Sequence, residues 1–322
     1  MQKNRNCFSL IAACLLVCLC LAGCGGQPAS QQQAQTSAAE AYTFTDAFGQ
    51  QITVQNPQRV VALMGSFAEI WCLAGGADTL VGVTSDAFDG RDLGLSDEIA
   101  VVGTFQNPNI EEILALEPDL VLLSAETKGT DSHVALKDAF TSAGITAAYF
   151  SVTHFDDYLA MLKTCTEITG DEAAYQTNGQ AVQEKIAQVI ADDKLDTQPS
   201  VLLMITYSGG IRPQSSDSMT GKMLADLGCH NIVDDNPSLL KDFSVENIIE
   251  TDPDYIFVIP MGNDDDVAVK NLQESVESNP AWNSLTAVQA HHYILLPKEQ
   301  FLYKPNARWA DSYSYLAELL HA

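Results

Sequence analysis

Asn109-Ile110-Glu111-Glu112-Ile113-Leu114-Ala115-Leu116-Glu117-Pro118-Asp119-Leu120-Val121-Leu122 returns later as Ser244-Val245-Glu246-Asn247-Ile248-Ile249-Glu250-Thr251-Asp252-Pro253-Asp254-Tyr255-Ile256-Phe257. Each copy predicts a short acidic helix, a Pro-Asp break and a buried strand. Proline cannot continue a helix and biases the residue before it away from helical angles. The apolar run that follows has the length and bulk of a strand covered on both faces. Both copies carry a glutamate at the same place, Glu111 and Glu246. A duplicated unit implies two similar lobes, and two lobes imply a cleft between them.

The surrounding pattern agrees. Residues 43–54 predict a hairpin turning near Phe48-Gly49. Residues 59–64 predict a buried strand leading into a helix that Ser66 opens and Gly75-Gly76 stops. Strands follow at 80–84 and 101–103, then the first repeat copy, a helix over 132–143 ended by Gly144, and a strand at 146–151. After residue 199 the same order of strand, helix, glycine stop, short strand and repeat unit resumes: 201–207, 219–227, 231–233 and the second copy, then a strand at 293–296 and a helix at 310–320. Such alternation predicts parallel sheets flanked by helices. Between the halves lie two helical segments, 156–168 and 171–193. At 1.5 Å per residue the second spans on the order of 30 Å. Gly179 inside it costs about 1 kcal/mol relative to alanine. The fold class is therefore α/β: two α/β lobes, each with a mainly parallel sheet, joined by one long rigid helix, with a ligand cleft between them.

The front of the chain sets the compartment. Lys3 and Arg5 precede an uncharged apolar run, and Leu21-Ala22-Gly23-Cys24 follows it. The run has the length of a signal segment and is short for a membrane span, which needs about 20 apolar residues. Residues 1–23 are expected to be a lipoprotein signal peptide, with Cys24 lipidated after cleavage. Residues 24–41, rich in Gln, Ser and Ala, then form a flexible tether with a reach on the order of 20 Å. Residues 42–152 form the N-terminal lobe, 153–198 the helical connection and 199–322 the C-terminal lobe. The protein is expected to be extracytoplasmic and anchored to the cell membrane through lipid on Cys24.

The formal net charge is -26. No polybasic run is present, so nucleic acid is not an expected partner. Of the 8 cysteines, Cys7, Cys14, Cys18 and Cys20 belong to the leader and Cys24 takes lipid. Cys72, Cys165 and Cys229 remain, an odd set without close spacing, so no disulfide framework is indicated. The histidines lack metal-ligand spacing, and Asp264-Asp265-Asp266 lacks the spaced ligands of a calcium loop. No metal site and no intrinsic cofactor are expected. No Gly-x-Ser-x-Gly elbow or glycine-rich phosphate loop appears, so no catalytic residue is assigned.

The stretch Arg59-Val60-Val61-Ala62-Leu63 entering a helix, then Leu80-Val81-Gly82-Val83-Thr84, Val102-Gly103 and the Pro-Asp repeat resembles one family throughout: the extracytoplasmic substrate-binding proteins of ABC importers, of the iron-siderophore, haem and cobalamin class. The resemblance runs from about Tyr42 to the end of the chain. Tyr303-Lys304-Pro305-Asn306-Ala307-Arg308-Trp309 resembles a subgroup of that family. It implies a ligand held between the lobes and delivered to a membrane permease dimer, with Glu111 and Glu246 docking on permease arginines and the protein acting as a monomer. Any iron or cobalt would arrive within the ligand itself.

Ligands in open α/β sheets bind at the carboxyl ends of strands. The expected ligand-binding residues are Ser66, which equally suits a helix cap, Phe67, and Phe88, Phe105 and Tyr207, where the resemblance implies aromatic ligand contacts although aromatics equally suit core packing. Arg212, Tyr303, Lys304 and Arg308 complete the set. Bases are scarce here, and those near a cleft select carboxylate, phosphate or an anionic chelate, although surface ion pairs explain them as well. Two rivals stand beside the importer reading: a cell-surface hydrolase or other enzyme on a similar two-lobed fold, and a solute receptor without a permease.

Overall fold

The computed structural model describes residues 41–126, 131–241, 245–262 and 264–321. The expected signal peptide and Cys24 lie outside them, as does nearly all of the tether. The chain enters through an antiparallel hairpin, β1 (Tyr42–Thr45) and β2 (Gln51–Val54). The N-terminal sheet follows as β3 (Val60–Ala62), β4 (Leu80–Val83) and β5 (Ala100–Val101). A small antiparallel pair, β6 (Gly103–Thr104) and β7 (Asn107–Pro108), interrupts it. It then continues as β8 (Leu120–Ser124) and β9 (Thr146–Phe150). Its order is β5-β4-β3-β8-β9, and every pairing is parallel.

The C-terminal sheet comprises β10 (Ser200–Tyr207), β11 (Gly210–Gln214), β12 (His230–Asn231), β13 (Tyr255–Pro260) and β14 (Tyr293–Leu295). Its order is β11-β10-β13-β14, with β12 also on β10. Only the hairpin β10–β11 is antiparallel. The molecule is thus a two-lobed α/β protein.

Strand alternation divides each sheet between two cores. Val61, Leu63, Val121, Leu123 and Tyr149 face an outer N-lobe cluster, and Leu202, Met204, Ile256 and Val258 an outer C-lobe cluster. The alternate residues, including Val60, Leu122, Phe150, Leu203 and Phe257, share one inner core with the connecting helices. Strands covered on both faces read as unbroken apolar runs, which is why they were visible in the sequence.

The repeat is also a structural repeat. Asn109 caps the helix Ile110–Ala115 by accepting from the Glu111 and Glu112 amides. Ile113 and Ile248 are the fully buried residues of the two repeat helices. Ahead of each proline the chain turns left-handed, at Glu117 (φ 46°) and Asp252 (φ 44°). This is a conformation that costs an L-residue about 1–2 kcal/mol. Each Pro-Asp aspartate then fastens the neighbouring strand's start. Asp119 accepts from the Gln58 and Arg59 amides, and Asp254 from the amide and hydroxyl of Ser200.

Between the lobes, Phe155–Thr169 is one helix ended by left-handed Gly170. The second runs from Glu172 to Asp192 through a π turn at Gln176–Gln180. That turn contains Gly179, where an added Cβ would lie 3.2 Å from Leu159, Leu162 and Tyr175. The glycine therefore lets the two helices approach closely. The irregular turn leaves the Asn178 carbonyl to accept from Tyr158 Oη at 2.7 Å.

Two expected elements differ. The helix expected over 132–143 is broken at Leu136 into Asp131–Ala135 and Lys137–Ala143. The strand expected at 231–233 stops at Asn231, whose side chain caps a helix, Ile232–Asp235, by accepting from the Val233 amide.

Candidate inter-lobe binding site

The N-lobe wall begins where β3 ends. The helix Gly65–Leu73 is capped in backbone terms by Met64, with no side-chain cap. Ser66 lies inside that helix, so the cap role considered for it falls to its neighbours. The Gly65 amide donates instead to Asp86 Oδ2 at 2.7 Å. A Cβ on Gly65 would sit 2.5 Å from the Asp86 carbonyl oxygen, so only glycine lets the helix and the Ser85–Phe88 turn meet.

The C-lobe contributes a strap, residues 301–308, that crosses to this wall. Asn306 is fully buried and held at φ 52°. Its Nδ2 donates to the Ser66 carbonyl at 3.0 Å and to Glu69 Oε2 at 2.8 Å. Glu69 also pairs with Arg91, which donates from Nη2 to the Lys304 carbonyl at 3.2 Å. Lys304 Nζ lies 3.7 Å from Glu126 Oε1, beyond the end of β8. Gly90, opposite the strap, is held at φ 65°, and a Cβ there would crowd Glu299 Cγ at 3.3 Å.

Charge is thus gathered in a seam nearly closed to solvent. The side chains of Arg91 and Glu69 are 6% and 13% exposed, and that of Lys304 17%. Burial pushes the Arg91 guanidinium below its ordinary range; Glu69 pulls it back and neighbouring Arg308 pushes it further down. Burial likewise lowers the Lys304 ammonium, opposed by Glu126. Around these ions, Ser66 Oγ, Thr84 Oγ1, Asp86 Oδ1, Gln300 Oε1 and Asn306 Oδ1 are buried without a hydrogen-bond partner among the described residues. Each such group costs about 1–3 kcal/mol, and positive-φ Asn306 adds backbone strain. Strain and unsatisfied polarity concentrated in one place make this seam the candidate site.

A second device steadies the same wall. Buried His133 accepts from the Ser124 amide at Nδ1 (3.1 Å), so its Nε2 carries the proton and donates to the Phe105 carbonyl (2.7 Å). Ser132 Oγ donates to the next carbonyl, Gln106, at 2.7 Å. These bonds fix the Phe105 loop to the end of β8. Burial holds the His133 imidazolium below the ordinary histidine range.

The other expected residues are placed as follows. Phe88 is exposed at the end of its turn, and Phe105 is half-buried. Phe67 is fully buried, edge-to-face on Phe150. Tyr207 is half-buried at the end of β10, its ring 2.8 Å from where a Gly209 Cβ would stand. Arg212 is exposed on β11, while Tyr303 lies beside Gly90 and Arg308 is exposed at the start of the helix Trp309–Leu320. Glu111 and Glu246 are both exposed in the first turns of their helices. Sequence reasoning missed Glu69, Asp86, Arg91, Glu126 and His133, and quoted Asn306 only as part of the 303–309 stretch. Arg91 alone had a usable signal, because bases are as scarce in the first half as in the second.

A groove of about 350 Å³ lies elsewhere, between β2 and β9, lined by Gln51, Thr53, Lys137, Thr141 and Tyr149 among others. It is open and bears no buried charge pair. No group of three or more His, Cys, Asp or Glu side chains suited to a metal ion occurs among the described residues.

The Periplasmic binding protein family model matches residues 60–300. The chain belongs to the periplasmic binding protein family. One relative in this family is the uncharacterized ABC transporter substrate-binding lipoprotein YvrC of Bacillus subtilis (strain 168). It is 27% identical over 96% of each chain. A cobalamin-binding protein of Halobacterium salinarum is 28% identical, over 89% of this chain and 78% of its own. Among solved structures, S. aureus IsdE complexed with heme superposes with a TM-score of 0.67 at 15% identity, over 82% of this chain and 99% of its own. That match speaks to the fold of this periplasmic binding protein. The two relatives are named for binding a substrate.

Proposed function

We propose that this periplasmic binding protein is the extracytoplasmic solute-binding component of an ABC importer. It captures an iron complex, haem or corrinoid-type ligand in the seam between its lobes and delivers it to a membrane permease. The observation that carries this is the convergence of Arg91, Lys304 and Arg308 with five unsatisfied buried polar atoms where the strap meets the N-lobe wall. Ser66, Phe88, Phe105, Tyr303, Lys304 and Arg308 contact the ligand, and Tyr207 and Arg212 close the C-lobe side.

In this reading the protein binds its ligand without transforming it, as suits a chain whose relatives are named for binding a substrate. It carries no cofactor of its own. Glu111 and Glu246, equivalent positions of a structural repeat, dock one monomer on the two halves of the permease, and lipid on Cys24 holds the protein at the membrane. The test is a thermal-shift series with haemin, cyanocobalamin and ferric chelates. A ligand at a hundredfold its dissociation constant stabilises by about 2.7 kcal/mol. Absence of a shift with every one of them contradicts the assigned ligand class.

A further inference from the structure

The seam holds three cations and three carboxylates, and the carboxylates are not equivalent. Glu69 is committed to Arg91 and Asn306. Asp86 is committed to the Gly65 amide at a helix start. Glu126 meets a cation of the opposite lobe, Lys304, at 3.7 Å, and at 31% exposure its side chain is the most accessible of the paired acids in the seam. It lies two residues past the end of β8, its amide donating to Ser124 Oγ at 3.1 Å. Lys304 is anchored: its carbonyl is held by Arg91, and its neighbour Asn306 is clamped to Ser66 and Glu69. Arg308 is close enough to Arg91 to disfavour that residue's charge.

We propose that Glu126 is an intramolecular stand-in for the ligand, holding Lys304 until a carboxylate of the cargo displaces it. This rests on the receptor function proposed above and narrows its ligand to a chelate that presents free carboxylates. Such a group offers Lys304 what Glu126 offers, and gains Arg308 besides. A cargo without one leaves the pair in place and meets a blocked seam. Glu126 is then a specificity-determining residue that acts by competition, since rejecting the wrong ligand requires a contact it cannot replace. Removing it relieves the competition for Lys304.

The test is fluorescence titration of wild type, Glu126→Gln, Lys304→Gln and the double variant with ferric citrate, haemin and cyanocobalamin. The first two present free carboxylates and the third does not. Glu126→Gln, a change of charge without a change of shape, is expected to tighten a carboxylate-bearing probe about tenfold, and Lys304→Gln to weaken it about tenfold, within the range of close charge pairs. In the Lys304→Gln background, Glu126→Gln is expected to have little effect. Melting curves of all four proteins separate misfolding from lost binding, and Glu126→Gln alone decides the matter if Lys304→Gln fails to fold. The proposal is overturned if a carboxylate probe binds wild type and Glu126→Gln leaves it unchanged or weaker, or if the gain persists without Lys304. Binding of cyanocobalamin alone overturns it while the receptor function stands. Binding of no probe overturns both.

Discussion

Asn306→Ala is the most informative single change. The amide it removes makes two bonds across the seam, one to a carboxylate and one to a carbonyl. A hydrogen bond to a charged group is worth about 1.5–3 kcal/mol and a neutral one about 0.5–1.5. Asn306 also sits at φ 52°, where asparagine is tolerated and alanine costs about 1 kcal/mol more. The expected loss is about 3–5 kcal/mol. At about 2–4 °C per kcal/mol for a chain of this size, the melting temperature is expected to fall by roughly 10 °C. Asn306→Gly removes the same bonds but fits the left-handed backbone, so it is expected to be about 1 kcal/mol less harmful than alanine. Urea unfolding followed by tryptophan fluorescence measures both, since Trp309 is buried three residues on and packs against Phe155 and Tyr158. If both variants stay within about 0.5 kcal/mol of wild type, the size expected for an inert surface change, the strap does not clasp the lobes. If glycine is worse than alanine, the strain assignment is wrong.

Three further outcomes are expected. His133 is held neutral by burial, with its affinity for protons below the ordinary value of 6.5. Its contribution to stability is therefore complete above pH 6.5 and lost as pH falls through the lower folded value. Denaturation at a series of pH values between 7.5 and 5 is expected to show this loss in wild type and a flatter profile in His133→Gln. Gly65→Ala drives a methyl into the Asp86 backbone and is expected to cost at least about 1–3 kcal/mol by overpacking, read from urea unfolding. Glu111→Arg with Glu246→Arg is expected to leave ligand binding intact and abolish uptake in cells carrying the importer; unchanged uptake removes the docking role.

The two halves were legible because each repeat copy encodes its structure locally. The proline bars the helix from continuing beyond the left-handed turn at Glu117 or Asp252, and the aspartate after it ties down a strand start. Buried parallel strands announce themselves as apolar runs, as at 120–124 and 255–260. The site was less legible because its bonds join distant residues. Asn306 and Ser66 are 240 positions apart, and no local pattern relates them. Ser66 matched a cap because caps normally precede their helix, whereas here Asp86 reaches in from the next turn and leaves Ser66 inside. Phe67 was grouped with the cleft by its loop, but helical rotation turns it onto Phe150. Asn231 looked like the start of a strand because β-branched residues follow it, yet its side chain caps a helix.

The central claim is that cargo sits between the lobes and nowhere else. Hydrogen–deuterium exchange, with and without whichever probe stabilises the protein, tests it directly. Protection is expected in peptides covering 64–69, 84–91, 103–106 and 301–308, with no change in the exposed repeat helices that carry Glu111 and Glu246. Protection confined to 50–53 and 137–149, around the open groove beside the hairpin, would contradict it.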